Sequence, residues 1–187
     1  MTMRSLIGLT AGLAVSVSLG GALVLAQGQG GKFSAALSPD SEVPVVSSPT
    51  ASGTIELDID DDEEAPEISY TLSYSGLSSA VVMAHIHLGQ EAVNGGVMLW
   101  LCEGTAQSPV ATTPACPPAE GGTVTGVLTA ADVVAITGAN AGQQIAAGDF
   151  AEAVTAIRKG LAYANVHTAN SGGGEIRGQL RKGGGHK

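Results

Sequence analysis

The chain has 187 residues, 44% of them apolar and 13% charged, with 17 acidic against 8 basic side chains and a net charge of −9. That length suits one domain with a buried core, and so acidic a balance leaves no basic patch to neutralise a phosphate backbone, which excludes a nucleic-acid binder. With 3% aromatic residues, 27 glycines and 8 prolines, the core must be built from Val, Ile, Leu and Ala, in short elements joined by many turns.

Arg4 is the only charged side chain before Lys32, and Leu6 to Ala26 is rich in Leu, Val, Ala and Gly. A short positive start, an apolar run and the small-residue site Val24-Leu25-Ala26 before Gln27 predict a secretory signal over residues 1–26. The uncharged run from Ser5 to Gly31 is also long enough to span a bilayer as an uncleaved anchor. Its glycines before Leu23 and the Val-x-Ala site favour cleavage. On this reading residues 27–31 form a flexible linker, 32–182 the folded domain and 183–187 a frayed tail. The domain is then secreted, periplasmic or at the cell surface, free of the membrane after cleavage.

Ile55, Leu57 and Ile59 alternate with Glu56, Asp58 and Asp60, and Ile68, Tyr70, Leu72 and Tyr74 alternate with Ser69, Thr71 and Ser73. Both patterns predict half-buried strands with one wet face, joined by a hairpin loop over Asp60 to Pro66. Val82, Ala84, Ile86 and Leu88 mark the apolar face of a third strand, and Val97 to Leu101 is a continuous apolar run ending at Cys102. Glu103 to Glu120 holds four prolines and predicts an irregular loop. Cys102 and Cys116, an even pair in an exported chain, predict a disulfide pinning that loop, whereas a thiolate metal site favours a closer pair. Val124 to Leu128 is a further strand, and Thr129-x-x-Asp132 resembles a capping arrangement before a short turn. Asp149 as N-cap, Phe150, Val154 and Ile157 on one face, and Gly160 as the stop predict one helix. Ala162, Ala164 and Val166, then Ile176 and Leu180, face inward on the closing strands. The sum is an all-β, antiparallel β-sandwich or barrel of seven to nine strands with one or two short helices.

Residues two apart on a strand share a face, so His85 and His87 project together, on the side away from Ala84 and Ile86, with Met83 beside them. Tyr163, Asn165 and His167 lie in the same way on the polar side of a later strand. If the two strands are neighbours, His85, His87 and His167 converge, and three imidazoles with an open position suit copper or zinc. The alternative is a set of hydrogen-bonded structural histidines, because His-x-His alone is a weak signal. The turn Ser171 to Gly174 predicts an antiparallel return beside His167, with Glu175 and Arg177 forming a polar cluster around it; Glu175 or a backbone carbonyl would accept from one ring nitrogen. His186, in the Gly-rich tail, is set aside. Asp58 to Glu64 is acidic enough for Ca²⁺, but Glu63 stands where a tight-turn Gly belongs in an EF-hand loop, so a solvated hairpin tip fits better. The sequence carries no Gly-x-Ser-x-Gly elbow and no His-Glu-x-x-His, so no enzyme is expected.

With these residues in view, the chain resembles the CHRD domain, a module first described in chordin. The likeness runs from about Phe33 to Arg181. It rests on Phe33-Ser-Ala-Ala-Leu-Ser with Glu42-Val43-Pro44, Tyr74-Ser75-Gly76-Leu77, Ala84-His85-Ile86-His87 and Gly126 to Asp132. It closes on Asp149-Phe150, Asn165-Val166-His167-Thr168 and Gly174-Glu175-Ile176-Arg177-Gly178-Gln179-Leu180. Val45 departs from the pattern where a second Pro is common, as does Ser171 near the place of a usual Pro. The resemblance implies an all-β extracellular module without enzymatic activity. The expectation is therefore an exported binding or structural module for an unknown protein or surface partner, the alternative being a copper- or zinc-binding protein that uses the three histidines.

Overall fold

The computed structural model describes residues 30–183. The predicted signal segment, the linker before Gly30 and the tail after Gly183 lie outside the described residues. Nine strands and one α-helix make up the described part: β1 (Gly31–Leu37), β2 (Ser52–Asp60), β3 (Glu67–Ser75), β4 (Val81–Leu88), β5 (Gly96–Glu103), β6 (Gly121–Leu128), α1 (Phe150–Arg158), β7 (Ala162–Thr168), β8 (Ile176–Gln179) and β9 (Arg181–Lys182). They form two antiparallel sheets, a five-stranded one in the order β6-β3-β2-β1-β9 and a four-stranded one in the order β5-β4-β7-β8. This is the sandwich that the alternating patterns predict.

The core lies between the sheets. Ile55, Leu57 and Ile59 of β2 and Ile68, Tyr70, Leu72 and Tyr74 of β3 meet Ala84, Ile86, Ala164, Val166 and Ile176 from the other sheet, all of them buried. The small residues of β4 and β7 let the sheets approach, and the few aromatic rings keep polar handles: the Tyr70 hydroxyl donates to the Leu101 carbonyl at 2.5 Å and that of Tyr74 to the Pro117 carbonyl at 2.6 Å. The continuous apolar run of β5 has a geometric cause. Its pairing with β4 shifts between Ala84 and His85 and again between Ile86 and His87, so Met98 and Leu99, and then Leu101 and Cys102, are buried as consecutive residues. Val82 and Leu88, expected on the core face, are only half-buried: Leu88 ends β4, and Val82 falls at a register shift of the β4–β7 pairing between Val81 and Met83, where Val81 takes the core position instead.

The Cys102–Cys116 disulfide is present and ties the end of β5 to the Pro-rich segment. Thr129 and Asp132 form the reciprocal capping box. The helix runs where expected and stops at Gly160, whose φ of +67° suits glycine. Asp149 holds the N-cap position, but its side chain makes no cap hydrogen bond. The predicted last strand is divided, with Leu180 between β8 and β9; its amide donates to the Ala162 carbonyl at 2.9 Å.

Candidate metal centre

β4 and β7 are adjacent and antiparallel, with Met83 opposite His167, His85 opposite Asn165 and His87 opposite Tyr163. β8 and β5 flank them, placing Arg177 opposite Asn165, Gln179 opposite Tyr163, and Trp100 opposite His85. Strand alternation thus gathers a polar grid on the face of the four-stranded sheet turned away from the core. This polar side, where the sequence reading places the histidines, is buried beneath loops. His85, His87 and His167 are 2%, 7% and 5% exposed.

Arg177 fastens one of the covering loops, donating to the Asn94 side chain at 3.0 Å and to the carbonyls of Val93 and Gln90 at 2.9 and 3.3 Å. Asn94 in turn donates to the Val43 carbonyl at 2.8 Å, joining this loop to the segment after β1. Gly95 makes its tight turn possible: a Cβ there would lie 1.6 Å from the Leu88 carbonyl oxygen. On the far side, Gly174, at φ +125°, lets the backbone pass Glu42 and Asn165, where a Cβ would meet their polar atoms at 2.3 and 2.7 Å.

The three imidazoles converge. One ligand nitrogen from each lies within 4.8 Å of the others, and Nδ1 of His85 is 3.3 Å from Nε2 of His167. Two nitrogens bound to one tetrahedral ion at about 2.0–2.1 Å are separated by roughly 3.3–3.4 Å, so this pair already has ligand spacing. The widest pair would close by up to about 1.4 Å on the same bond lengths. The tautomers follow from the backbone. Nδ1 of His87 faces the Gly95 carbonyl and Nδ1 of His167 the Gly172 carbonyl, each at 3.0 Å. A carbonyl only accepts, so these nitrogens carry the protons and both Nε2 atoms carry lone pairs.

Electrostatics keep the rings neutral. Burial, with His167 and His87 alongside, pushes His85 far below its ordinary value. Burial lowers His87 to about 4 against the opposing pull of the Gly95 carbonyl, and it lowers His167 as well. Trp100 meets the His85 ring edge-on with centroids 4.2 Å apart. Tyr163 stacks on His87 at 4.8 Å, and the Arg177 guanidinium lies 3.4 Å from the centre of the Tyr163 ring.

Five buried side-chain atoms among the described residues make no hydrogen bond: Nε2 of His85 and of His87, Oε1 of Glu42, Oδ1 of Asn165 and Oε1 of Gln179. The residues share this one face and its covering loops; Nε2 of His87 and the three oxygens offer lone pairs, while Nε2 of His85 offers one only in the tautomer whose Nδ1 donates to Nε2 of His167, and carries the proton when Nδ1 is the ligand atom. Such a concentration calls for a cation or hydrogen-bond donors. Burial, opposed by Arg177, pushes the Glu42 carboxyl up to about 7.

The expected partnership of Glu175 with His167 is corrected here. Glu175 is fully buried, but it accepts from the hydroxyls of Ser48 and Thr168 at 2.6 Å each and from the backbone and hydroxyl of Ser78 at 2.7 and 2.9 Å. The His167 proton goes to the backbone carbonyl of Gly172, the other acceptor that the sequence allows. Burial alone would raise the Glu175 carboxyl; its four hydrogen bonds outweigh that and hold it below its ordinary value. Sequence reasoning missed Glu42 and Trp100 at the site. Trp100 could have been found as the one tryptophan in an apolar strand, while Glu42 stands on a loop with no periodic signal.

No curated protein and no solved structure matches the chain. The family model of the CHRD domain matches residues 33–180 and so takes in most of β1, all of β2 to β8, the three histidines and the loops that cover them. The chain belongs to the CHRD domain family.

Proposed function

We propose that this CHRD domain is an exported, non-enzymatic binding module that holds a copper or zinc ion through His85, His87 and His167. One observation carries the reading: three neutral imidazoles on adjacent strands, with ligand atoms within 4.8 Å of one another, are buried together. The acidic, arginine-poor composition and the signal-like start support an exported domain that meets a protein or surface partner outside the cytoplasm. The burial of all three rings favours holding an ion over turning over a substrate, since the cluster presents almost no surface to a reactant.

Metal analysis of the full chain recovered from a periplasm-like compartment, beside His85→Ala, tests this directly. Wild type should carry close to one equivalent and the variant much less. Melting with added Cu²⁺ or Zn²⁺ should stabilise wild type by about 2.7 kcal/mol at a hundredfold excess over the dissociation constant, and His167→Gln should lose that response. The same metal response in wild type and variant would make the cluster a purely hydrogen-bonded strut.

A further inference from the structure

We infer that the three-histidine site prefers monovalent copper to Zn(II) or Cu(II). The inference rests on the metal-binding reading above and adds the charge and coordination number of the ion.

The ligand set is neutral. All three donors are imidazoles, and no carboxylate belongs to the cluster. Glu175, the nearest acid in sequence to Arg177, is turned to Ser48, Ser78 and Thr168. The cost of moving an ion from water into a buried site rises with the square of its charge. Here the guanidinium of Arg177, stacked on the tyrosine that stacks on His87, adds a positive charge that a divalent ion would have to face. Glu42 is the one acid with a free buried oxygen on this side of the sheet among the described residues, so the compensation is at most one negative charge. A +1 ion fits this balance better than a +2 ion.

Coordination number points the same way. Trp100 closes over His85 and Tyr163 over His87, and the rings are at most 7% exposed. Zn(II) bound by three protein ligands completes its tetrahedron with a water or substrate, for which these aromatic walls leave little room. Met83 supplies a third argument. It is the register partner of His167 on the histidine face of β4, and a thioether is a soft ligand that selects Cu(I). The structure therefore offers three nitrogens, a soft sulfur on the same face and a surrounding poor in negative charge.

Anaerobic titration of the full chain with Cu(I), buffered by a competing chelator, is compared with parallel titrations of Cu(II) and Zn(II). Trp100 is the single tryptophan and touches His85, so copper binding should quench its fluorescence, and Zn(II) is followed by competition with a chromogenic chelator. Binding of Cu(I) at least 100-fold tighter than Zn(II), with Met83→Leu weakening Cu(I) about tenfold and leaving Zn(II) unchanged, supports the inference. Zn(II) or Cu(II) bound as tightly as Cu(I), in a manner lost in His167→Gln, overturns the inference while the metal site stands. If none of the three ions binds wild type, the metal reading fails and this inference with it. The decisive comparison is made on wild type, so it does not depend on any variant folding.

Discussion

On β2, the residues between Ile55, Leu57 and Ile59 are Glu56 and Asp58, and both are exposed; on β7, those between Ala162, Ala164 and Val166 are Tyr163 and Asn165, and both are buried. The two strands have the same period-two alternation and belong to the same sandwich. The difference lies in what covers the second face. The five-stranded sheet leaves Glu56, Asp58, Ser69 and Thr125 to water, where each polar group finds its own partners. The four-stranded sheet is roofed by loops fastened through Arg177, Asn94 and Glu175, so its polar residues must satisfy one another or hold a ligand. Alternation thus identifies the polar face of a strand but not whether that face is wet.

The sharpest way to break this comparison is to remove one glutamate from each sheet. Glu175→Ala strips the common acceptor from two buried hydroxyls and a backbone amide, and should cost about 3–5 kcal/mol. For a domain of this size that lowers the melting temperature by on the order of 10 °C. Glu56→Ala, on the wet face, should stay within about 0.5 kcal/mol. Denaturant unfolding of both variants checks it; similar costs would show that the roof over the four-stranded sheet is not what sets the value of its polar groups.

The disulfide gives the next largest effect. Cys102 lies one residue before the end of β5, and a sequence separation of 14 closes a short loop, so replacing both cysteines by serine should cost about 3 kcal/mol in the chain-entropy model. Mass spectrometry of the chain recovered from an oxidising compartment, without reductant, should show a two-hydrogen deficit, and two free thiols would end the idea.

Acidity separates the sheets in a third way. In the metal-free protein, His87 has a folded pKa lowered from 6.5 to about 4, so the unfolded chain binds this proton first. Its contribution is constant above pH 6.5 and falls as pH drops from 6.5 to about 4, by up to about 1.4 kcal/mol per pH unit. Glu42 acts with the opposite sign. Its folded pKa is raised from 4.5 to about 7, so the folded state keeps the proton longer and stability declines as pH rises across that interval. The two slopes oppose each other between pH 4.5 and 6.5. Glu42→Gln should therefore steepen the acid-side loss of stability, and His87→Gln should flatten it. Unfolding curves at half-unit pH steps measure both, and unchanged profiles in either variant would show that these groups are not buried as described.

Most of the fold was legible because burial on one face leaves a period-two signature in Ile55 to Ile59 and Ile68 to Tyr74, and the helix leaves its own in Phe150, Val154 and Ile157. β5 was harder to place, since two register shifts bury consecutive residues and erase the alternation. The three histidines could be found because His-x-His on one strand and His167 on another need only adjacent strands to meet. Their burial could not be found, because it depends on loops whose positions follow from long-range bonds such as Ser48 to Glu175 and Asn94 to Val43. Asp149 shows the limit of local rules: the cap position was legible, while the side chain's failure to bond depends on the backbone of the preceding turn, where Asp149 sits at φ −80° and ψ 62° instead of in the extended region.

The smallest effect is also the closest match between the two sheets, because the same chemistry occurs in both. On the outer face of the five-stranded sheet, the hydroxyls of Ser73 and Thr123 lie 2.8 Å apart across β3 and β6, open to solvent. At the end of β7, the Thr168 hydroxyl donates at 2.6 Å to the Glu175 carboxylate in full burial. Water replaces the first bond when it is removed, so Ser73→Ala should change stability by no more than about 0.5 kcal/mol. Nothing comparable replaces the second: Thr168→Val keeps the shape but deprives a buried carboxylate of a donor, and a hydrogen bond to a charged group contributes about 1.5–3 kcal/mol. It should also flatten the acid limb, because Glu175 loses one of the bonds that hold its carboxyl below its ordinary value, and a smaller depression leaves less stability to be lost as pH falls. Equal costs for the two substitutions, or a Thr168→Val variant with an acid limb as steep as that of wild type, would place the two faces in the same environment.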